Sequence, residues 1–337
     1  MSIAPLFKQP GLTADQIRNF AFSWRASRVL LTACELDVFT ILGESWKQST
    51  EVAESLEADP RATDRLMNAL AGMGVLVKKD GSFANTEAAL RFLVRGSDGY
   101  IHSLDHVANL WKSWSTLTDA VRQGSRVLES PGIKWDTQSL HAFIAGMHDR
   151  ARDTADETIL SLDLTDVSRV LDVGGGSGVY SMAMARAKED LRATVFDLPH
   201  VVPITEQYIR KSGFSERIDT LAGDYNVDDF GNGYDMVFLS AVVLINSPEA
   251  NRKLIGKCAG ALKPGGQVVV QDYILDEDRT APLHATLYAL NMLVVTRAGD
   301  TYTEQEVRSW MEEAGLRRIT RTDTRFGVSQ ITGWNAE

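Results

Sequence analysis

The chain has 337 residues, enough for about two domains of ordinary size. Its 35 Lys plus Arg stand against 45 Asp plus Glu, a formal net charge of −10 that sets the average surface against nucleic-acid phosphates and anionic membranes. Apolar residues are 44% and charged residues 24%, the usage of a folded globular protein and not of a disordered chain.

The opening stretch MSIAPLFKQPGLT carries no basic segment followed by an apolar core of signal-peptide length. No run reaches the ~18 apolar residues that span a bilayer, so the expected location is the cytoplasm. Cys34 and Cys258 are far apart, each inside an apolar helical pattern. That arrangement predicts reduced core thiols and neither a disulfide nor a metal site.

Apolar Leu31, Cys34, Val38 and Leu42 recur at helical spacing and predict one helix over residues 26–42. A second helix is expected from Ser49 to Leu56. Asp59-Pro60 then supplies an N-cap and first-turn proline for a third, running through Leu66 and Leu70 to Gly72. Asp80-Gly81, between two short extended runs, is a tight-hairpin signal. Helices followed by such a hairpin make a winged helix. Its candidate recognition helix carries Arg61, Asp64, Arg65 and Asn68, a face of mixed sign, and Asp80 follows Lys78-Lys79 in the wing. Self-association through the first helix and Phe20, Phe22 and Trp24 is the better use of this module. Residues 99–165 continue as helices, with Trp111, Trp114, Phe143 and Met147 placed to line a core or a pocket.

From Val167 the pattern changes to β-rich runs alternating with helical stretches: VSRVLDVG, RATVFDLP, IDTLAGDY, YDMVFLSAV and QVVVQDYIL. Such alternation predicts an α/β domain with a parallel sheet and helices on both faces. Two last runs, LRRITRTDTRF and VSQITGWNA, flank Gly327 and predict an antiparallel hairpin at the sheet edge.

LDVGGGSG, residues 171–178, lies where a buried strand turns into a helix. Its glycines allow close backbone approach to a ligand, and the helix that follows presents free amide groups. Asp197, nineteen residues after Gly178, ends the next strand, where a carboxylate accepts ribose hydroxyls. The pattern is GxGxG followed by Val179-Tyr180 and not the GxGxxG of NAD folds. Asp224 and Tyr225 in LAGDY end a third strand, positioned for an exocyclic amine and a base face. KPGG, residues 263–266, turns into the strand QVVVQDY.

With these motifs in place, the sequence resembles the S-adenosylmethionine-dependent small-molecule O-methyltransferases of the plant caffeate and bacterial polyketide type. ACELDVFTIL, RLMNALAGMGVL, the DG hairpin and FANT are similar to that family's winged-helix dimerisation domain. LDVGGGSG, FDLPHV, GDY, DMVFLS and ALKPGG are similar to its Rossmann-like cofactor domain. The resemblance implies a homodimerisation domain over 1–98, connecting helices that line the acceptor pocket over 99–165, and a cofactor domain over 166–337. It implies S-adenosyl-L-methionine as cofactor, with Gly174 and Gly176 against its methionine part and Asp172 near its amino group. Asp197 would take the ribose, Asp224 and Tyr225 the adenine, Ser240 the methionine end, and Met147 the boundary between cofactor and acceptor.

One departure stands out. Plant members carry a His-Asp pair after the fourth strand, and the His deprotonates the acceptor hydroxyl. The matching stretch VVLINSPEA has Ile245 and Asn246 instead. The remaining catalytic candidates are Asn246, His148, beside Met147, and His284, at the start of HATLYALNMLV. The acceptor-pocket candidates are Trp111, Tyr288, Asn291 and Met292, with Arg150 and Arg297 able to clamp a carboxylate. O-methylation by proximity is the leading expectation, and S-methylation of a thioether or thiol in a small organic acid is the alternative. A cofactor-retaining relative without methyl transfer and a winged-helix regulator complete the set. No nucleic-acid, membrane or metal partner is expected.

Overall fold

The computed structural model describes residues 11–129, 137–324 and 327–336, with the side chains of 137–139 left aside. The chain divides into two compact units, Met1–Asn109 and Leu110–Glu337. Among the described residues no helix is long and apolar enough to cross a membrane.

The first unit contains α1 (Ala14–Phe22), α2 (Trp24–Glu35), α3 (Val38–Leu42), β1 (Lys47–Gln48), α4 (Ser49–Ser55), α5 (Pro60–Gly72), β2 (Leu76–Lys79), β3 (Ser82–Asn85) and α6 (Glu87–Phe92). It is a winged helix. Asp59 caps α5 by accepting the Ala62 amide, with Pro60 in the first turn. Asp80 and Gly81 both take positive φ, as a two-residue hairpin of this hand requires. The helix expected over 26–42 is two helices: Asp37 adopts a left-handed φ of 60° and breaks the run after Glu35. Aspartate tolerates that region better than most residues, so apolar spacing continues through a break that the backbone makes. A short β1 pairs with β3 beyond the two strands expected of the hairpin. The Asn85 amide group donates to the carbonyls of Phe39 and Gly43, fastening the end of α3 to the wing.

Cys34, Phe39, Leu42, Met67, Leu70, Leu76 and Phe83 form this unit's core. On the mixed-sign face of α5, Asp64 accepts from Ser49 and Asn68, and Lys78 donates to Asn68. These polar groups are spent within the module. Ile17, Phe20, Phe22 and Trp24 are about half exposed along α1 and the start of α2.

Helix α7 (Ser103–Trp114) crosses the division. The second unit continues with α8 (Leu117–Gln123), α9 (Thr137–Ile159), β4 (Arg169–Val173), α10 (Val179–Ala187), β5 (Arg192–Asp197), α11 (Val202–Lys211), β6 (Ile218–Ala222) and β7 (Tyr234–Ser240). After the 3-10 turn Val243–Ile245 come α12 (Pro248–Ala261), β8 (Leu262–Asp272), β9 (Ile274–Leu275), α13 (Leu283–Val295), β10 (Tyr302–Thr303), α14 (Glu304–Glu313), β11 (Arg317–Asp323) and β12 (Ser329–Trp334).

The main sheet runs β11-β12-β8-β7-β4-β5-β6, parallel from β8 to β6 and closed at its other edge by the antiparallel hairpin β11–β12. This is a Rossmann-like mixed sheet. Alternate strand residues serve two apolar clusters. Leu171, Val173, Val237, Leu239, Val268 and Val270 belong to one, and Val170, Val195, Met236, Phe238 and Val269 to the other. Although β8 starts at Leu262, the four residues of KPGG stand out of register with both neighbours, the pairing with β7 passing from Tyr234–Leu262 to Met236–Gln267, so they make the turn into QVVVQDY. The irregular pairing absorbs the positive φ of Gly265.

Candidate active site

Strand order reverses between β4 and β7, and ligands of open parallel sheets collect at the carboxyl ends of strands beside such a reversal. Strand β4 ends in the glycine loop there. Gly174 takes a φ of +68°, donates its amide to the Phe196 carbonyl at 2.7 Å, and has Val242 2.9 Å from where a Cβ would stand. Gly175 is tighter. A Cβ there would lie 2.7 Å from the Asp172 carboxyl and 2.8 Å from Val195. At Gly176 the φ is +57° and the nearest atom to a Cβ, on Ile144, is 3.8 Å away, so the constraint is backbone conformation and not contact.

Asp172 is 1% exposed. Its Oδ2 accepts from Ser181 at 2.7 Å, while Oδ1 is buried without a hydrogen-bond partner. Burial, reinforced by the charge of Asp197, pushes its pKa up to about 6 against the hydrogen bond from Ser181. Asp197 ends β5 with both oxygens oriented: Oδ2 accepts from the Gly176 amide at 2.8 Å and Oδ1 from the Leu198 amide at 2.7 Å. Burial also raises its pKa, opposed by those two amides. Each oxygen keeps a further lone pair for a hydroxyl.

Beyond β6, Gly223 approaches the Phe196 ring so closely that a Cβ would fall 2.6 Å from it. Asp224 accepts from the Asn226 backbone and side chain at 2.9 and 2.8 Å. The Tyr225 hydroxyl donates to Asn246 Oδ1 at 3.1 Å. At the end of β7, Ser240 accepts from Gln271 at 3.1 Å. Ile245 follows, 43% exposed.

Met147 is half-buried on α9. His148 Nδ1 lies 2.9 Å from the Ser177 hydroxyl of the glycine loop, and its ring packs on Tyr208 at 4.4 Å. Arg150 faces Tyr273 and Tyr288. On α13, Asn291 accepts from the Trp114 indole at 2.9 Å, and Met292 is buried. Trp111 is half-buried on α7. His284 is exposed, its Nε2 donating to the Gly327 carbonyl at 2.6 Å, and Arg297 lies in the exposed bend after α13.

The structure thus gathers Asp172, Gly174, Gly176, Asp197 and His148 around one loop. Asp224, Tyr225 and Asn246 form a second group and Arg150 with Tyr273 and Tyr288 a third, which the His284 ring joins edge-on at 5.5 Å from Tyr273, whereas Arg297 joins none of them. Sequence reasoning did not single out Gly175, Tyr180, Gln271, Asp272 or Tyr273. The three consecutive glycines were a signal for Gly175. Asp272 ends β8 buried, accepting from the Leu244 and Tyr273 amides, and nothing local marks it.

A glycine loop at the switch point, an oriented carboxylate one strand over and an unpaired buried acid beneath the loop are groups that could hold a nucleoside cofactor with a cationic end. Residues 114–317 match the model of the O-methyltransferase domain, and residues 19–95 match that of the O-methyltransferase dimerisation domain. The chain is 31% identical over 321 residues to 3-hydroxy-5-methyl-1-naphthoate 3-O-methyltransferase of Streptomyces sahachiroi, covering 94% of this chain and 92% of that one. It is 31% identical over 330 residues to acetylserotonin O-methyltransferase of Bos taurus, covering 92% and 94%. The crystal structure of human N-acetylserotonin methyltransferase in complex with SAM superposes with a TM-score of 0.84 at 25% identity, covering 98% of this chain and 99% of that one. The chain belongs to the O-methyltransferase family. It is an S-adenosylmethionine-dependent methyltransferase with an N-terminal dimerisation domain.

Proposed function

We propose that this enzyme methylates an acidic hydroxyl of a small molecule, with alignment and exclusion of water standing in for a general base. Bound S-adenosylmethionine supplies a methyl group on a sulfonium centre. Asp172, Gly174 and Gly176 would hold its methionine part, Asp197 its ribose, and Asp224 and Tyr225 its adenine, with Ser240 and Met147 beside the transferring end. The unpaired Asp172 oxygen and the oriented Asp197 carboxylate support such a ligand. Displacement at a sulfonium needs an in-line approach, and a base only when the acceptor must shed a proton.

The observation that carries the reading is Ile245, an apolar side chain where the resembling family places histidine. Asn246 beside it is bonded to Tyr225. His148 is engaged with Ser177 and His284 with Gly327. Across a series of phenols, the rate of S-adenosylhomocysteine formation should rise with pH along each acceptor's own ionisation. His148→Ala and His284→Ala should each retain activity within a few-fold. A loss of about a hundredfold or more in either variant would instead install that imidazole as base. The missing base equally favours a second reading, S-methylation of a thioether or thiol. Turnover of a thioether acceptor at a rate flat with pH would select it.

We further propose a cytoplasmic homodimer built through residues 1–98, with residues 99–165 lining the acceptor pocket. The half-exposed aromatics of α1 and α2 support the first part, and the free, buried Cys34 and Cys258 are consistent with a reducing compartment. For the cofactor contacts, Asp197→Ala should weaken S-adenosylmethionine binding by about 1 to 3 kcal/mol, the scale for removing the partner of a buried hydroxyl. Calorimetry decides it, and an unchanged Kd removes Asp197 from the site.

A further inference from the structure

Arg150 is an exposed arginine on α9 whose guanidinium is held by aromatic faces. Its Cζ lies 5.2 Å from the centre of the Tyr273 ring and 5.4 Å from that of Tyr288, and Nη1 lies 3.4 Å from the Tyr288 hydroxyl. The two rings are 4.5 Å apart, centre to centre. Among the described residues no carboxylate stands within ion-pair distance of it. Arg152, two residues on, pairs with both Asp149 and Asp153. Arg169 also lies over a tyrosine, Tyr234, with no carboxylate in ion-pair range among the described residues, and what sets Arg150 apart is that two tyrosines hold it.

Its location adds to this. Tyr273 directly follows Asp272 at the carboxyl end of β8, the strand beside β7. The Asp272 carboxyl takes the Leu244 and Tyr273 amides instead of the guanidinium, and burial pushes it toward its neutral form. Tyr180, at the start of α10, lies close enough to feel the charge of Arg150. His148, on the same helix, reaches the glycine loop. The guanidinium therefore lies beside the carboxyl end of β8, next to the strand that ends in Ser240. Stacking against tyrosine occupies the face of a guanidinium and leaves its edge donors for a planar, bidentate partner.

We propose that Arg150, held by Tyr273 and Tyr288, binds a carboxylate carried by the methyl acceptor, so that the acceptor is an aromatic hydroxy acid. This rests on the methyltransferase reading above. The guanidinium takes the carboxylate while the tyrosine rings pack against the acceptor's own ring, turning its hydroxyl toward the end of β7.

The test uses the full chain saturated with S-adenosylhomocysteine. Calorimetry compares 3-hydroxybenzoate and 3-hydroxy-1-naphthoate with their uncharged carboxamides in wild type, Arg150→Gln and Arg150→Lys. Wild type should bind at least one acid about tenfold or more tightly than its amide, the scale of a charge-assisted pair. Arg150→Gln should erase that preference while the affinity for S-adenosylmethionine stays the same, and Arg150→Lys should keep part of it. Equal or undetectable binding of acid and amide by wild type overturns the proposal, as does an equal loss for both ligands in Arg150→Gln. Formation of S-adenosylhomocysteine is measured separately with neutral phenols, thioethers and the acids. No product from any acceptor overturns the methyltransferase reading, while the comparison of acid with amide still decides the role of Arg150.

Discussion

Replacing Asp172 with asparagine is expected to leave a folded protein at pH 8 that binds S-adenosylmethionine about ten- to a hundredfold more weakly, the range for losing a hydrogen bond to a charged group. The carboxylate is buried, bonded on one oxygen to Ser181 and unpaired on the other. On the reading above a cationic group of the cofactor would meet that oxygen with charge assistance, which a neutral amide lacks. The stability difference between the two proteins should also depend on pH, with a defined sign. Burial raises the Asp172 pKa from 3.8 to about 6, so the folded state holds the proton more tightly than the unfolded one. The wild type is therefore relieved of a penalty as pH falls through 6 toward 4 and carries it in full above 6. That penalty is at most roughly 3 kcal/mol, taking about 1.4 kcal/mol for each pKa unit. Asparagine has no proton to gain. Relative to Asp172→Asn, the wild type should gain stability on going from pH 8 to pH 5, measured by denaturant unfolding at each pH. A difference that stays constant over that range would show the carboxyl to be unperturbed.

The second large effect is expected at Gly175. An alanine Cβ would stand 2.7 Å from the Asp172 carboxyl and 2.8 Å from a Val195 methyl, both set by the adjoining strands β4 and β5. Neither neighbour is the free end of a long side chain. Overpacking of this kind costs about 1 to 3 kcal/mol, and here the yielding group is the acid proposed above to hold the cofactor's methionine part. Gly175→Ala should lower the melting temperature and weaken cofactor binding together. Gly176→Ala isolates the other cause, because its Cβ meets nothing closer than 3.8 Å and only its φ of +57° is strained. That strain is about 1 kcal/mol or more, paid without displacing Asp172. Thermal melts and calorimetry on both variants make the comparison. Wild-type melting and affinity in Gly175→Ala would mean that the loop repacks around the methyl group at no cost.

Much of the fold is legible in neighbouring residues. Asp59-Pro60 at the start of α5, Asp80-Gly81 in the wing, and Gly327 between the last two strands act through local turn and cap chemistry. The β-branched runs of β4, β5, β7 and β8 are likewise local signals of a buried parallel sheet. The left-handed Asp37 is not, because the apolar spacing continues unbroken across it. In the site, the residue types of the glycine loop, Asp172 and Asp197 are readable, since a strand that turns into a helix through glycines is a short-range pattern. Their protonation and hydrogen-bond state are not.

By itself, then, the sequence determined the α/β class, the winged-helix module and, through its family motifs, the cofactor. All of these are written in spans of a few to some twenty residues. Only the tertiary structure decided that Asp172 keeps an unpaired oxygen, that Asn246 serves Tyr225, and that Asn291 is engaged by Trp114. It alone brought Arg150 to Tyr273 and Tyr288 with no carboxylate in ion-pair range among the described residues. The reason is separation along the chain: Trp114 and Asn291 are 177 residues apart, and Arg150 and Tyr288 are 138 apart. Contacts of that span follow from how helices dock on the sheet, and no periodicity or turn signal in either segment encodes its distant partner.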